Sequence, residues 1–405
     1  MKILLVSDWF KPNLIGGAEI SVELLARGLL RFGHQAAVAS LRKATRLVRE
    51  EVDGVRHFGL PMGSVGRSPL DATRTNVDSL LWQLSSEYTS DVPKHLGEVL
   101  REFRPDAVVT NNLAGLSTRI WNVARDQGVP LVHSLRDYYS LCPFGTMYRG
   151  GRNCERQCGP CQLVTLRRKR HSGSVPALVG VSQFILDAHR DRGYFGNAGT
   201  TAVIRTPYEA PASATPAPAS ASLGEKKTVI GFIGRLHPSK GVETLMAAFS
   251  TLKSKDLSLL IAGAPHRVEY GVTLRALAAG DSRIGFIGYV KSKDFYDRVD
   301  VVAIPSLWNE PISRVPIEAM AHGKPFVTST HGGIAEVPRE SGHGASADPN
   351  DVAAFAAALE KACEQSRSGA TVADAAATAR RLYSPETIAR QYLDVIEKLR
   401  AGRAA

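Results

Sequence analysis

The sequence contains no uninterrupted run of about 18 apolar residues, the length that a membrane-spanning helix requires. It also lacks a signal-peptide pattern, because the first apolar segment begins at Lys2 and leads into a polar loop. No nucleic-acid recognition motif or set of stacking aromatic residues is present, so nucleic acid is a disfavoured partner. These absences predict a cytoplasmic protein without a membrane span.

Acidic residues are fewer than basic residues, which gives a net charge of +11 at pH 7. One dense basic run, Arg-Arg-Lys-Arg-His at 167–171, carries part of this excess. Such a run is typical of a solvated helix face, and it also fits contact with an anionic membrane surface. The sequence leaves both interpretations open.

A chain of 405 residues is too long for one ordinary hydrophobic core and predicts two domains. Predicted strands alternate with helices in both halves, and the first helix is predicted at 18–32. The strands are predicted at 2–7, 35–40, 107–110, 131–135, 178–181, 229–234, 257–262, 284–287, 301–305 and 325–328. Alternating βα units predict parallel, doubly wound sheets and therefore an α/β fold.

The domain boundary is predicted at residues 209–226, which are rich in Pro, Ala and Ser and have nothing to bury. This places an amino-terminal Rossmann-like domain at 1–208 and a carboxyl-terminal one at 227–383. The last segment, 384–405, has an amphipathic helical pattern and should dock on one of the domains.

Two carboxylates mark the most informative motif. Glu310 lies on the loop beyond the predicted strand 301–305, and Glu318 lies near the start of the next helix, where Pro316 fits the first turn. In open α/β sheets, ligands bind beyond the carboxyl ends of the strands. Carboxylates accept paired hydrogen bonds from vicinal sugar hydroxyls, so a sugar-containing ligand is predicted.

A basic loop follows an earlier strand of the same half. Gly234 allows a sharp turn, Arg235 offers a planar fork for a diphosphate, and Lys240 adds a point charge before a helix amino end. Together with the two glutamates, this loop predicts a ligand in which a sugar and a ribose are joined by a diphosphate.

The order of these motifs resembles the retaining GT-B glycosyltransferases of family 4, the group 1 nucleotide-sugar transferases. The motifs are G-R-L at 234–236, K-G at 240–241, E-P at 310–311 and E-A-M at 318–320, with G-G at 16–17 in the first half. The likeness covers nearly the whole chain. It implies an acceptor domain and a donor domain that face an interdomain cleft, with the terminal helix packed back on the first domain.

The resemblance also implies site roles. Arg235 and Lys240 would neutralise the donor diphosphate, Glu318 would bind the ribose hydroxyls, and Glu310 would bind the transferred sugar, so that Glu310, Arg235 and Lys240 form the catalytic set. Donor contacts would come from the turn glycine and from backbone amides, namely Gly16, Gly17, Gly234, Ile312, Ser313 and Arg314.

The implied reaction is transfer with retention at the anomeric carbon, in which the leaving phosphate takes the acceptor's proton. No paired-aspartate metal motif is evident in the sequence, and two cations with a helix dipole can supply the same electrostatic stabilisation. We therefore expect no catalytic metal ion.

The sequence departs from the family pattern at two places. Ile312-Ser313 stands where the family often has Phe-Gly, and Arg136 stands where it often has a histidine before an aspartate. Arg136 with Asp137 could bind the donor phosphate or an anionic acceptor, or could form an ion pair. His133 does not take over the histidine's role, because strand alternation turns it away from Arg136.

The predicted function is transfer of a sugar from a nucleotide-diphosphate sugar to a glycan acceptor, lipid-linked at the inner membrane face, in cell-surface polysaccharide or glycolipid synthesis. A non-catalytic sugar-nucleotide-binding subunit and a GT-B-fold sugar-nucleotide epimerase are the alternatives. Loops at 67–78 and 145–152 are candidates for acceptor contacts.

Four of the five cysteines fall in one short insertion. Cys142, Cys154, Cys158 and Cys161 match the ligand number of a closed zinc site, and disulfides are disfavoured in a cytoplasmic protein. Thiols without metal and a redox pair remain open, because residues 158–161 spell C-G-P-C. Cys363, in an alanine-rich segment, is predicted to be a core residue.

Overall fold

The computed structural model describes residues 1–12, 16–62, 76–210, 227–368 and 372–404. Most of the predicted linker, 211–226, and most of the predicted acceptor loop, 67–75, lie outside the described residues.

Strands and helices alternate along both halves of the chain. The strands are β1 (Lys2–Val6), β2 (Gln35–Arg42), β3 (Val48–Val52), β4 (Val55–Pro61), β5 (Ala107–Thr110), β6 (Leu131–Leu135), β7 (Tyr148–Arg149), β8 (Arg152–Asn153), β9 (Ala177–Gly180), β10 (Thr200–Val203), β11 (Thr228–Ile233), β12 (Leu257–Ala262), β13 (Ile284–Gly288), β14 (Val301–Ile304), β15 (Phe326–Ser329) and β16 (Ala345–Ala347). Every strand predicted from the sequence is present, with bounds that differ by two residues or fewer.

Helices connect the strands and cover the sheets. They are α1 (Gly17–Arg31), α2 (Asn76–Thr89), α3 (Val92–Phe103), α4 (Arg119–Asp126), α5 (Gly159–Ser172), α6 (Gln183–Arg190), α7 (Val242–Thr251), α8 (Val268–Ala278), α9 (Ser292–Tyr296), α10 (Val315–Ala321), α11 (Glu336–Ser341), α12 (Val352–Ser368), α13 (Val372–Tyr383) and α14 (Pro385–Ala404). Short 3-10 turns form at Pro238–Lys240 and Gly333–Ala335.

The chain forms two compact units. The first comprises residues 1–147, 154–207 and 385–405, and the second comprises 148–153 and 208–384. Each unit has its own sheet and its own core. The doubly wound α/β architecture predicted from the βα alternation is confirmed.

The first unit is built on eight strands in the order β10-β9-β6-β5-β1-β2-β4-β3, among the described residues. All neighbours pair in parallel except β3, which runs antiparallel to β4. The central strands read as continuous apolar runs because helices cover both faces. Helix α14 packs against α1, and its apolar face, which includes Ile388, Tyr392 and Ile396, is fully buried in this core.

The second unit is built on six parallel strands in the order β13-β12-β11-β14-β15-β16, again among the described residues. Strands β11 and β14 are neighbours, although about 70 residues separate them in the chain. The order reverses at this pair, so their carboxyl ends border the crevice where open α/β sheets bind ligands.

The hairpin of β3 and β4 was not predicted. Its turn is Asp53-Gly54, and both residues have positive φ. An Asp-Gly pair between two β-rich segments is a strong hairpin signal, so the sequence contained the information.

A close approach of two helices gives a testable prediction about the first unit. A Cβ added at Gly28 in α1 would lie 2.4 Å from the backbone oxygen of Pro385 at the start of α14. We expect Gly28→Ala to destabilise the protein by about 1–3 kcal/mol, measured by chemical denaturation, although alanine is the better helix former.

Gly402→Ala is the matched control, because Gly402 is also helical and a Cβ there would meet nothing within 4 Å. This variant should be neutral or slightly more stable. Equal stability of the two variants would contradict the tight contact between α1 and α14.

Candidate active site

The turn that follows β11 carries the predicted basic loop to the end of β14. Gly241 ends the 3-10 turn with φ +70°, and a Cβ at this position would lie 2.0 Å from the Pro305 carbonyl oxygen. Only glycine therefore fits here without rearrangement. The close approach places Lys240 beside the loop that begins at Ser306.

Lys240 and Glu310 are brought together. The Lys240 ammonium donates to Glu310 Oε1 at 2.7 Å, and the Ser306 hydroxyl donates to the same oxygen at 2.6 Å. Glu310 is only 3% exposed, and its Oε2 makes no hydrogen bond to any described residue. One oxygen is thus held by the protein, and the other is left for a ligand.

The backbone on the far side of Glu310 is also fixed. Gly333 donates its N–H to the Glu310 carbonyl at 2.7 Å, and Gly332 bridges to Glu310 with φ +72°. The Lys240 ammonium lies 5.5 Å from the centre of the Trp308 ring, within cation–π range. Ser306, which sequence reasoning missed, directly follows a buried strand, a position that could have indicated it.

Arg235 is exposed and makes no hydrogen bond or ion pair with any residue that the structure describes. The positive field at this turn is visible in its neighbour. Burial first, and then the charges of His266, Arg235 and Lys240, lower the pKa of His237 to about 4. A concentration of positive charge at the end of β11 suits a phosphate-bearing ligand.

Glu318 lies in the first turn of α10, and both of its carboxylate oxygens are engaged. Its Oε2 accepts from Ser292 at 2.7 Å, and its Oε1 accepts from Arg314 Nε at 3.2 Å. Burial raises the pKa of Tyr296, and the Glu318 charge raises it further. The ribose-binding role of Glu318 stays a prediction, and the bound ribose would have to share this carboxylate with protein donors.

The segment before α10 offers donors to a ligand. The backbone N–H groups of Ile312, Ser313 and Arg314 donate to no described residue. The Arg314 Nη1 is buried and also has no partner among the described residues. Three backbone N–H groups and one guanidinium nitrogen near Glu318 thus have no protein partner among the described residues, and a buried donor such as Arg314 Nη1 is normally paired.

The predicted glycine loop of the first unit lies at the start of α1. Gly16 is the N-cap, and its N–H donates to the Glu19 carboxylate at 2.9 Å, while Gly17 begins the helix. The donor-loop role of Gly16 and Gly17 stays a prediction.

Arg136 and Asp137 do not form an ion pair with each other. Arg136 Nε donates to Asn111 at 3.0 Å, and Asp137 accepts from Asn112 at 2.5 Å. The ion-pair interpretation is therefore wrong, because the two side chains diverge toward different partners of the β5 loop. Arg136 Nη2 is buried without a partner among the described residues, so this arginine retains capacity to bind an anion.

Sequence reasoning missed a group of carboxylates at the same sheet edge. Asp8 follows β1 and is buried, and its pKa is raised by burial and by the charges of Glu19 and Asp137. Burial also raises the pKa of Asp137. The position of Asp8 directly after a buried strand was the available signal.

His133 is buried in the first unit. Its Nδ1 lies 2.9 Å from the Thr110 hydroxyl, and its ring stacks on Phe195. Burial lowers the pKa of His133 to about 3, so the ring is neutral. The hydroxyl of the neighbouring Ser134 forms a hydrogen bond with the Tyr392 hydroxyl of α14.

The basic run at 167–171 is not uniformly a solvated face. Arg168 is fully buried, donates to the Tyr139 carbonyl at 2.6 Å, and lies over the Tyr139 ring. Lys169 and Arg170 are exposed. The solvated-face interpretation is wrong for Arg168, because helical spacing turns every third or fourth residue inward.

The cysteine insertion leads into α5. Cys158 is the N-cap and Cys161 lies in the first turn, so C-G-P-C opens a helix. Burial raises the pKa of Cys161 to about 12, and hydrogen bonding with the Cys158 thiol and the charge of Cys142 act in the same direction. Cys154 follows β8, and Cys363 is buried in the second core, as predicted.

The described residues form no preformed zinc site. Over the described ranges, which include all five cysteines, no three His, Cys, Asp or Glu side chains are arranged to hold a metal ion. The donor set therefore does not fit a closed four-ligand site in this conformation, and zinc binding stays a prediction.

The two largely parallel sheets, with a cationic turn and a buried glutamate at the switch of strand order in the second, have the GT-B glycosyltransferase fold. Sucrose-phosphate synthase from Thermosynechococcus elongatus superposes with a TM-score of 0.73 at 20% identity, covering 99% of both chains. Anabaena Alr3699/HepE in complex with UDP superposes with a TM-score of 0.71 at 20% identity, covering 98% of this chain and 100% of that one.

Sequence comparison narrows the class. Residues 227–365 match the family described as glycosyl transferases group 1, and residues 16–206 match the glycosyl transferase 4-like domain. An uncharacterized 42.6 kDa protein in the cps region of Klebsiella pneumoniae is 30% identical over 84% of this chain and 88% of its own length. The chain belongs to the group 1 glycosyltransferases.

Within the described ranges, no helix is both long enough and apolar enough to cross a membrane.

The cysteines give a prediction that metal analysis can check. If the sequence interpretation holds, the purified protein retains about one zinc per chain, and a chelator that removes it lowers the melting temperature. Cys154→Ser should release the metal, whereas Cys363→Ser, a buried cysteine outside the insertion, should retain it. Protein purified without zinc would contradict the zinc interpretation and leave metal-free thiols or a redox pair.

Proposed function

We propose that this glycosyltransferase moves a sugar, with retention of anomeric configuration, from a nucleotide-diphosphate sugar to a lipid-linked glycan. One observation carries the proposal: the buried Glu310 is fixed by Lys240 beside the exposed Arg235, at the carboxyl edge of the second sheet. The cps region in the printed name of the Klebsiella relative supports a role in cell-surface polysaccharide or glycolipid synthesis.

The proposed roles follow the charges. Arg235 and Lys240 bind the diphosphate, and their charges stabilise the negative charge that develops on the leaving group. Arg314 and the amides before α10 contribute the remaining donors. Glu310 accepts hydrogen bonds from hydroxyls of the transferred sugar through Oε2, because Lys240 and Ser306 already occupy Oε1.

The base on the acceptor hydroxyl is proposed to be the leaving phosphate itself. As the bond from the anomeric carbon to the phosphate oxygen breaks, that oxygen gains negative charge and takes the acceptor proton on the same face. The new bond to the acceptor oxygen forms there, so the configuration is kept. The protein contributes by holding the phosphate and the sugar in the orientation that the transfer needs.

Nucleotide binding is the first test. UDP is tried first, because Anabaena Alr3699/HepE binds it, and GDP, ADP and CMP follow. A nucleotide at about 100 times its Kd adds about 2.7 kcal/mol of stability, which thermal denaturation detects. Arg235→Ala should lose most of this stabilisation.

Arg298→Ala is the matched control, because Arg298 is also exposed but lies before β14, at the opposite sheet edge. It should respond to nucleotide like the wild type. If no nucleotide stabilises the wild-type protein, the donor-site assignment fails.

Retention has its own test. With the sugar donor identified, an α-configured donor should give an α-linked product by NMR, and an inverted product would overturn retention.

The exposed face of α5 suggests where the protein meets its acceptor. Leu163 and Leu166 are 74% and 62% exposed, and they share one helix face with Arg167 and Arg170. The opposite face, with Thr165 and the buried arginine, packs into the first unit. Exposed leucines beside cations suit an anionic lipid surface, and we propose binding at the inner face of the membrane.

Vesicle sedimentation tests this face. The protein should bind vesicles of phosphatidylglycerol and phosphatidylcholine, and bind pure phosphatidylcholine at least about 10-fold more weakly, because each basic residue near the surface contributes about 1 kcal/mol. The double variant Leu163→Ser and Leu166→Ser should lose binding. The control pair Val268→Ser and Val272→Ser, equally exposed on α8, should not.

Two outcomes would contradict the membrane proposal. Equal binding to both vesicle types would remove the electrostatic basis. Loss of binding in the α8 pair, with retention in the α5 pair, would move the surface to the second unit.

A further inference from the structure

The hairpin of β7 and β8 is part of the second unit, although it lies within the cysteine insertion of the first half. Its two strands are joined through Gly150 and Gly151, both with positive φ. Tyr148 pairs with Asn153 and Arg149 with Arg152. The assignment of residues 145–152 to acceptor contacts stays a prediction, and Asn153, the last residue of the hairpin, contacts the loop beyond β14.

Asn153 makes two hydrogen bonds to that loop. Its Nδ2 donates to the Leu307 carbonyl at 2.8 Å, and its Oδ1 accepts from the Asn309 N–H at 2.8 Å. The two contacts determine the orientation of the amide, because only the NH2 group can face a carbonyl and only the oxygen can face an N–H. One side chain therefore brackets Trp308 from both sides.

The bracketed segment leads directly to Glu310. The same segment is also held by Ser239, whose carbonyl accepts hydrogen bonds from the N–H groups of Leu307 and Trp308 at 2.9 and 3.2 Å. Glu310 donates its N–H to the Trp308 carbonyl at 2.8 Å. A shift of residues 307–309 would therefore move the Glu310 carboxylate relative to Lys240.

We propose that Asn153 is a positioning residue for the transferred sugar: its carboxamide holds residues 307–309, and so keeps Glu310 aligned with the sugar of the donor. This inference rests on the proposed function, because it assigns Glu310 to the sugar. It deepens that function by giving the cysteine-insertion hairpin a part in donor use. Its two hydrogen bonds go to the loop, and its proposed effect on the sugar acts through Glu310.

Substitution of Asn153 should impair use of the sugar donor but not binding of the nucleoside diphosphate. Asn153→Ala removes both hydrogen bonds, and a misplaced Glu310 should lower kcat/KM for the sugar donor by about 10- to 100-fold, chiefly in kcat. The affinity for the nucleoside diphosphate alone should change less than about 2-fold, because Arg235, Lys240 and the amides before α10 are proposed to bind it and Glu310 is not. Asn153→Asp should resemble Asn153→Ala, since a carboxylate cannot donate to the Leu307 carbonyl.

The experiment combines kinetics with a readout that needs no turnover. Protein labelled with 5-fluorotryptophan contains four tryptophans, and Trp308→Phe identifies the Trp308 signal in the 19F NMR spectrum. Asn153→Ala should shift or broaden that signal and leave Trp9, Trp82 and Trp121, which are buried in the first unit, unchanged. Arg156→Ala is the matched control, because it alters an exposed residue three positions beyond Asn153 that makes no hydrogen bond or ion pair with any described residue, and it should change neither spectrum nor rate.

Each outcome decides the proposal. A changed Trp308 signal together with reduced kcat and unchanged nucleotide affinity supports it. An unchanged Trp308 signal overturns the hydrogen-bonded positioning, and a changed signal with wild-type kcat overturns its role in transfer. Wild-type protein that transfers no sugar would refute the proposed function, and the assignment of Asn153 to the sugar would fall with it.

Discussion

The buried charge of Glu310 is the constraint on which the second unit's site depends. A carboxylate that is 3% exposed is unfavourable unless it is paired, and here the pairing comes from Lys240 and Ser306. Lys240 reaches the carboxylate only because Gly241 lets the chain pass the Pro305 carbonyl. The glycine turn, the strand order and the loop beyond β14 therefore act as one arrangement, since a change in any of them would leave an uncompensated charge in the core.

Much of the fold could be predicted because apolar runs and helical spacing are local signals. Strands such as β11 and β14 are long, buried and apolar, so periodicity identifies them. The two-residue strands β7 and β8 are too short to produce any period, and their assignment to the second unit depends on contacts with residues about 150 positions away. The β3–β4 hairpin differs from them, because its Asp-Gly turn was readable and was overlooked.

The candidate site shows the same division between local and distant information. The sequence predicted charged site residues at the ends of β11 and β14, but it could not indicate that Lys240 and Glu310 are bonded to each other. Adjacency in the sequence was also a poor guide to which side chains are bonded. Arg136 and Asp137 are neighbours in the chain and yet bond to different asparagines, because successive side chains beyond a strand point in different directions.

The division of the chain into units has a consequence for dissecting the protein. Because residues 148–153 belong to the second unit and residues 385–405 to the first, neither unit is a continuous stretch of sequence. A fragment cut at the linker would leave the second unit without Asn153, and the first unit without α14, whose Ile388 and Tyr392 are part of its core. Separately expressed halves would therefore expose apolar surface in one unit and lose a loop contact in the other. The protein is for this reason poorly suited to domain exchange at the linker.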